Sequence, residues 1–218
     1  MMNTQIWNNV VPDGMKELPI PLSGHCSVMI NSNKVLIIGG ETTDGVNEEW
    51  LDRYSAHHVT DHVHIYKFST DKWYSTAGDA NMNGKVLNKL IFPSQNHDCI
   101  KYSEGGKQKI LAVGGVSAIE DTNHKIEDTA EILDLDTLKW KLARPIPRKV
   151  TGSKLILVDG RPTIIGAYGN ANQDIIITYT QDDNWIDLPV RLLKGRSDFM
   201  VILSLYFNIN YVKSFHLL

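Results

Sequence analysis

Cysteine is almost missing from this chain, with only Cys26 and Cys99 among 218 residues. That is too few for a small secreted domain stapled by several disulfides, and no CxxC spacing offers a metal or redox pair. Positive charge is not in excess either, since 22 Lys and Arg stand against 25 Asp and Glu for a net charge of -3. A chain of that balance has no electrostatic footprint for a polyphosphate, which removes nucleic acid as the main partner. Long hydrophobic runs are also lacking. The longest, Phe199 to Phe207, is about half of what a membrane-spanning helix needs, and Met1-Met2-Asn3-Thr4-Gln5 shows no basic and apolar leader. What remains is 42% hydrophobic and 22% charged residues, the composition of a folded globular chain.

An internal repeat is present. Three apolar runs end in small residues: Lys34-Val35-Leu36-Ile37-Ile38-Gly39-Gly40, Lys109-Ile110-Leu111-Ala112-Val113-Gly114-Gly115 and Pro162-Thr163-Ile164-Ile165-Gly166-Ala167. Each reads as a buried β-branched strand closed where only glycine tolerates positive φ or a close backbone approach. A further apolar run precedes each one, opened by His25, His97 or Gly152, and Asn31-Ser32-Asn33 and Asp159-Gly160 supply turn chemistry between the two runs. Downstream comes an aspartate, alternating residues, a large side chain and then a tryptophan. The copies run from Asp61 through Tyr66 to Trp73, from Asp128 through Leu133 to Trp140, and from Asp174 through Tyr179 to Trp185. Each reads as two more strands joined by a polar turn, giving four antiparallel strands per copy.

With its glycine pair after the second strand and its aromatic-to-tryptophan spacing, the repeat resembles the kelch family of β-propellers. The signature residues are Gly39, Gly40, Tyr66 and Trp73; Gly114, Gly115, Leu133 and Trp140; and Gly166, Tyr179 and Trp185. The resemblance implies an all-β fold of four-stranded antiparallel blades. Residues 1–24 read as the last strand of a preceding blade and a linker, 25–78, 97–143 and 152–188 as three full repeats, and 196–218 as the start of a fourth with an atypical tail. Since kelch propellers close with about six or seven blades, an incomplete chain is expected, with self-association through unclosed edges.

Insertions fall on the second-to-third strand connections and on the links between copies, which emerge on one face of such a blade. That face is the expected binding surface. Its candidates are Trp50, Arg53, Tyr54, His57 and His58 in the first long loop, and Arg144, Arg148 and Lys149 in the link beside Pro145 and Pro147. Aromatic and arginine side chains anchor protein interfaces, and a basic group reads an acidic peptide.

Catalytic readings are weaker. His62 and His64 share one strand face beside Asp61, a spacing that could hold zinc or copper, but a histidine-rich outer strand explains it more simply. Cys26 and Cys99, each after His25 or His97, suggest a Cys/His nucleophile less well than buried small residues at a repeated position. Asp61, Asp128 and Asp174 are symmetry mates, unlike an acid/base pair, which needs contrasting environments. The segment from Gly78 to Val86 fails as a phosphate loop and that from Asp121 to Ile126 fails as a calcium loop.

The expectation is therefore a non-enzymatic module without cofactor or metal that binds a protein or peptide partner, with neither nucleic acid nor membrane. As the resemblance implies, it could serve as substrate receptor of a ubiquitin ligase. The alternatives are a propeller enzyme of copper-oxidase or sugar-acid-isomerase type, or a secreted kelch protein whose signal peptide is missing. The absence of an Asn-x-Ser/Thr acceptor points towards the cytoplasm.

Overall fold

The computed structural model describes residues 16–42, 58–119, 123–168, 173–197, 201–202 and 216–217. These residues are all-β. Three four-stranded antiparallel sheets follow one another along the chain. The first holds β1 (Cys26–Asn31), β2 (Lys34–Ile38), β5 (Val63–Lys67) and β6 (Lys72–Ser75), with the short ribbon of β3 (Glu41–Thr42) and β4 (His58–Val59) between its second and third strands. A second ribbon, β7 (Asn81–Met82) and β8 (Lys85–Val86), lies in the link that follows. The second sheet holds β9 (Asp98–Glu104), β10 (Lys107–Val113), β13 (Ala130–Asp134) and β14 (Lys139–Leu142), with the ribbon β11 (Val116–Ile119) and β12 (Asn123–Ile126). The third holds β15 (Lys154–Val158), β16 (Arg161–Ile165), β17 (Ile176–Tyr179) and β18 (Trp185–Asp187). Last come β19 (Val201–Ile202) and β20 (His216–Leu217), paired with each other. Among the described residues none of the sheets closes on itself. Among the described residues no helix is long and apolar enough to cross a membrane.

Turn chemistry sets the hairpins. Glu104 faces Lys107 across Gly105 and Gly106, and Val158 faces Arg161 across Asp159 and Gly160. All four turn residues have positive φ, the conformation that matches the twist of the flanking strands. In the outer hairpins the aromatic and the tryptophan stand directly opposite each other: Tyr66 with Trp73, Leu133 with Trp140, Tyr179 with Trp185. Two residues before each tryptophan the chain takes a left-handed turn, at Asp71, Leu138 and Asp183.

Each sheet presents a near face to the copy before it and a far face to the copy after it. The far face of the first sheet (Leu36, Ile38, Val63, Ile65) packs on the near face of the second (Cys99, Ile110, Ala112, Leu133). The far face of the second (Tyr102, Leu111, Val113, Ile132) packs in the same way on the near face of the third (Leu155, Ile164, Ile177, Tyr179). Nearly all of these side chains are below 5% exposed, so each junction is a continuous apolar core and the main source of stability. The tryptophan indoles tie each link to its sheet, Trp73 Nε1 donating to the Lys16 carbonyl, Trp140 to Asn88 and Trp185 to Arg144.

The glycine pairs form the backbone junction between copies. The Gly40 N–H donates to the Ser94 carbonyl and the Gly115 N–H to the Val150 carbonyl, each at 2.8 Å and each reaching the next link. A Cβ on Gly114 would lie 2.3 Å from the Val150 carbonyl oxygen, at a φ of +61°. Gly105 has a similar φ, +57°, with open space around it. Gly114→Ala should therefore cost on the order of 3 kcal/mol or more, against about 1 kcal/mol for Gly105→Ala. Urea unfolding of the two variants measures the difference.

Candidate functional site

In an antiparallel sheet whose strands run in sequence order, the second-to-third connection and both links to neighbouring copies leave from the same end. The glycine pairs, the ribbons β3–β4 and β11–β12, and the links therefore gather at one end of all three sheets. A bridge in each copy joins link to connection there: Ser23 with Glu41, Gln95 with Val116, Thr151 with Tyr168. The next residues of the links are themselves connected, Asn96 N–H donating to the Gly24 carbonyl and Gly152 N–H to the Asn96 carbonyl, at 2.8 and 3.1 Å. Gly24, Asn96 and Gly152 all have positive φ, and asparagine is among the few other residues that accept it.

Between the second and third copies this end opens into a groove of about 440 Å³, lined by Gln95, Asn96, Val116, Ile126, Thr151, Gly152 and Tyr168. The lining joins two amide side chains, a hydroxyl and an aromatic ring to two aliphatic walls. The Tyr168 ring is 57% exposed. Such a surface can stack or bury an apolar side chain while the exposed Asn96 amide meets polar groups beside it; Gln95 and Thr151 are buried, and the Thr151 hydroxyl donates to the Asn96 carbonyl. Among the described lining residues there is neither a nucleophile with its base nor a pair of carboxylates.

Of the sequence candidates, His58, Arg144, Arg148 and Lys149 are among the described residues. Trp50, Arg53, Tyr54 and His57 lie outside the described residues. His58 is exposed on β4, opposite Thr42. Arg148 donates through Nε and a terminal nitrogen to one Asp187 carboxylate oxygen, at 3.1 and 2.9 Å, which ties it to the third sheet. Arg144 is exposed at its side chain, but its backbone is held by the Asp183 carboxylate and the Trp185 indole. Lys149 is exposed. The groove itself uses residues that the charge and aromatic criteria did not select. The one signal for them is positional: they sit just before the first strand of a copy or just after its glycine pair, save Ile126, which pairs with Val116 from β12.

Two histidines of the histidine-rich segment are held within the first sheet. His64 is fully buried, with Nδ1 2.8 Å from the Ser75 hydroxyl, while the His62 Nδ1 lies 3.2 Å from that of Thr76. Their ring centroids are 6.1 Å apart. Among the described residues no group of three or more histidine, cysteine or acidic side chains is disposed to hold a metal ion.

Cys26 and Cys99 are joined by a disulfide, with Cα atoms 6.0 Å apart. Their places in the repeat differ by one residue. Cys26 pairs with Ile38, the residue before its glycine pair, whereas the residue before Gly114, Val113, pairs with Asp98. In a strand that offset turns the side chain to the opposite face, so Cys26 points forward from the first sheet and Cys99 back from the second. Asp98, in the register of Cys26, instead accepts the Leu155 N–H at 2.6 Å and reaches the third sheet. Neither the known protein-family models nor the curated proteins include a match to this chain.

Two buried histidines give this end a pH dependence. Burial first, then the charges of His62 and His25, lowers the His64 pKa to about 4. Burial first, then His25, lowers His97 to about 4 against the raising effect of the Ser94 and Ile38 backbone. From the ordinary value of 6.5 down to about 4 the unfolded chain binds protons that the folded chain refuses. The stability they lend is thus present above pH 6.5 and drains as pH falls towards 4. Burial raises the Asp98 and Glu131 pKa values, which acts in the opposite sense nearer the carboxylate range. Urea unfolding should show a loss on the order of 3 kcal/mol between pH 7 and pH 5. In His97→Ser, which copies the third repeat's residue, about half of that loss should disappear.

Proposed function

We propose that this chain is part of a kelch-type β-propeller that binds a protein or peptide partner at the end where its links and second-to-third connections gather. The observation that carries this reading is the groove of Gln95, Asn96, Val116, Ile126, Thr151, Gly152 and Tyr168, a partly apolar cleft with amides and a hydroxyl placed around an exposed ring. Three sheets of identical strand order, with matching glycine junctions and tryptophan ties, support the propeller reading. Residues on a rigid sheet scaffold lose little entropy on binding, which suits them to recognise a short extended segment. Within the kelch family, a substrate receptor of a ubiquitin ligase is the adaptor role that such a surface serves.

Peptides selected from a random displayed library on the immobilised protein test this. Tyr168→Ala and Ile126→Glu should each weaken the selected peptides by at least about tenfold, a loss of about 1.4 kcal/mol. Lys141→Ala, on the outer strand of the second sheet, should leave their affinity unchanged. Equal affinity in all three variants, or failure to select any peptide, defeats the reading.

A second reading, of the compartment, is favoured by the Cys26–Cys99 disulfide. Such bonds persist in oxidising surroundings and are rare in the cytosol, so the bond supports a secreted kelch protein in place of a cytoplasmic one. Protein taken from its native source and denatured without reductant should react with no maleimide. Two modifications before reduction would instead support the cytoplasmic reading.

A further inference from the structure

At the mouth of each copy a polar residue stands shortly before the first strand: Ser23, Gln95 and Thr151. Each is joined by a backbone bridge to the residue two places after the first junction glycine, which is Glu41, Val116 or Tyr168. In the first and third copies the side chain is satisfied too. The Ser23 hydroxyl donates to the Glu41 carboxylate at 2.9 Å, and the Thr151 hydroxyl to the Asn96 carbonyl at 3.2 Å. Gln95 is different. It is only 6% exposed, and its backbone is engaged in both directions with Val116, at 3.0 and 2.8 Å. Val116 has no polar side chain to offer, and among the described residues the Gln95 side-chain amide has no hydrogen-bond partner.

A donor and an acceptor left unpaired under such burial destabilise the free protein, and buried polar side chains are nearly always bonded. Both other copies relieve the same position, so the fold itself does not require the deficit. What distinguishes Gln95 is the groove, whose lining it forms with Val116, Ile126 and Tyr168. Unpartnered side-chain atoms that are shut off completely include those of His97 and Tyr102, whereas the Gln95 amide keeps access to the groove it lines. None of the described lining residues is charged. Lys125 and Glu127, on either side of Ile126 in the chain, are paired with each other at 2.8 Å, and Glu127 also accepts the Ser117 hydroxyl. A charged side chain entering here would lose its water without gaining a counter-ion.

We propose that the Gln95 side chain is the polar reader of the groove, pairing with an amide group of an uncharged partner segment. Its oxygen accepts the segment's N–H and its nitrogen donates to the segment's carbonyl, while a neighbouring apolar side chain lies on Val116, Ile126 and the Tyr168 ring. A carboxamide presents donor and acceptor side by side, the complement of another amide. The partner amide comes from the main chain of the segment or from an Asn or Gln side chain. A site built around a buried polar group rejects ligands that cannot pair with it, so Gln95 confers selectivity as well as affinity. This inference rests on the peptide-binding reading and supplies the group that sets its specificity.

Two measurements on the full chain test the proposal, urea unfolding without ligand and binding of the library-selected peptides. Gln95→Met keeps the length of the side chain and removes the unpaired amide, so its unfolding midpoint should equal or exceed that of the parent. A lower midpoint would mean that the amide holds the free fold together, and overturns the proposal. The selected peptides should bind Gln95→Met about tenfold more weakly than the parent. Replacing one main-chain amide of a peptide by an ester, or one of its Asn or Gln residues by Leu, should cost the parent about tenfold and Gln95→Met less than about twofold. Loss in the ester peptide assigns the partner amide to the main chain, and loss in the Leu peptide assigns it to a side chain. Equal losses in both proteins for every such peptide overturn the proposal. Tyr168→Ala and Ile126→Glu keep the two readings apart. If they weaken binding while Gln95→Met does not, the groove binds peptides without its buried amide and only this inference fails; if none of the three matters, both readings fall.

Discussion

The way one repeat meets the next is set by a backbone hydrogen bond that crosses between them. The second glycine of a pair donates its N–H to the carbonyl of the following link, Gly40 to Ser94 and Gly115 to Val150. The first glycine allows the approach, because a Cβ on Gly39 or Gly114 would lie 2.5 or 2.3 Å from that same carbonyl oxygen. A contact between main-chain atoms is indifferent to side chains elsewhere. The strand carrying Leu133 in place of an aromatic still meets its neighbour in the same way, and an uneven insertion in a connection does not disturb the stacking.

From that junction the packing follows. Once the links are held at one end, each sheet can lay its far face only on the near face of the next, and alternation along the strands decides which residues meet. The tryptophan at the outer edge then fastens the link through one indole N–H. Side-chain bonds between copies are secondary and individual: Lys101 Nζ donates to the Ile30 carbonyl, Asp98 accepts from Leu155, and Glu131 accepts the Ile91 and Phe92 N–H groups. The disulfide belongs to this second class. It locks a junction that the backbone and the apolar core already define.

The sheets were legible in the sequence because their determinants are local. Glycine pairs, Asp159-Gly160 and the Tyr66-to-Trp73 spacing act through φ, turn type and strand alternation, all of which can be read within a few residues. The links between sheets were not, because they depend on which faces meet. Cys26 and Cys99 look equivalent along the chain, and only the one-residue difference in register turns them towards each other. Arg148 reads as an available cation until Asp187, far along the chain, is placed beside it. The groove residues Gln95, Asn96 and Thr151 have no chemical mark at all in the sequence. Their position at the mouth of each copy is what distinguishes them.

That position also explains how a symmetric scaffold comes to carry an asymmetric surface. At the junction the backbone repeats closely, yet the side chains at matched places diverge: Ser23, Gln95 and Thr151; Gly24, Asn96 and Gly152; His25, His97 and Ser153; Glu41, Val116 and Tyr168. Core positions cannot diverge in this way without opening cavities or leaving polar groups unpaired. Residues at the mouth lie against a neighbouring link, some of them buried (Gln95, His97, Thr151, Ser153) and some open to solvent (Ser23, Asn96, Tyr168), and polar, aromatic and aliphatic types all occur there. Two matched sites in successive copies can thus differ completely in chemistry while sharing one geometry. Recognition requires that combination, since a ligand distinguishes one groove from its symmetry mates only by the side chains that the common backbone leaves free to vary.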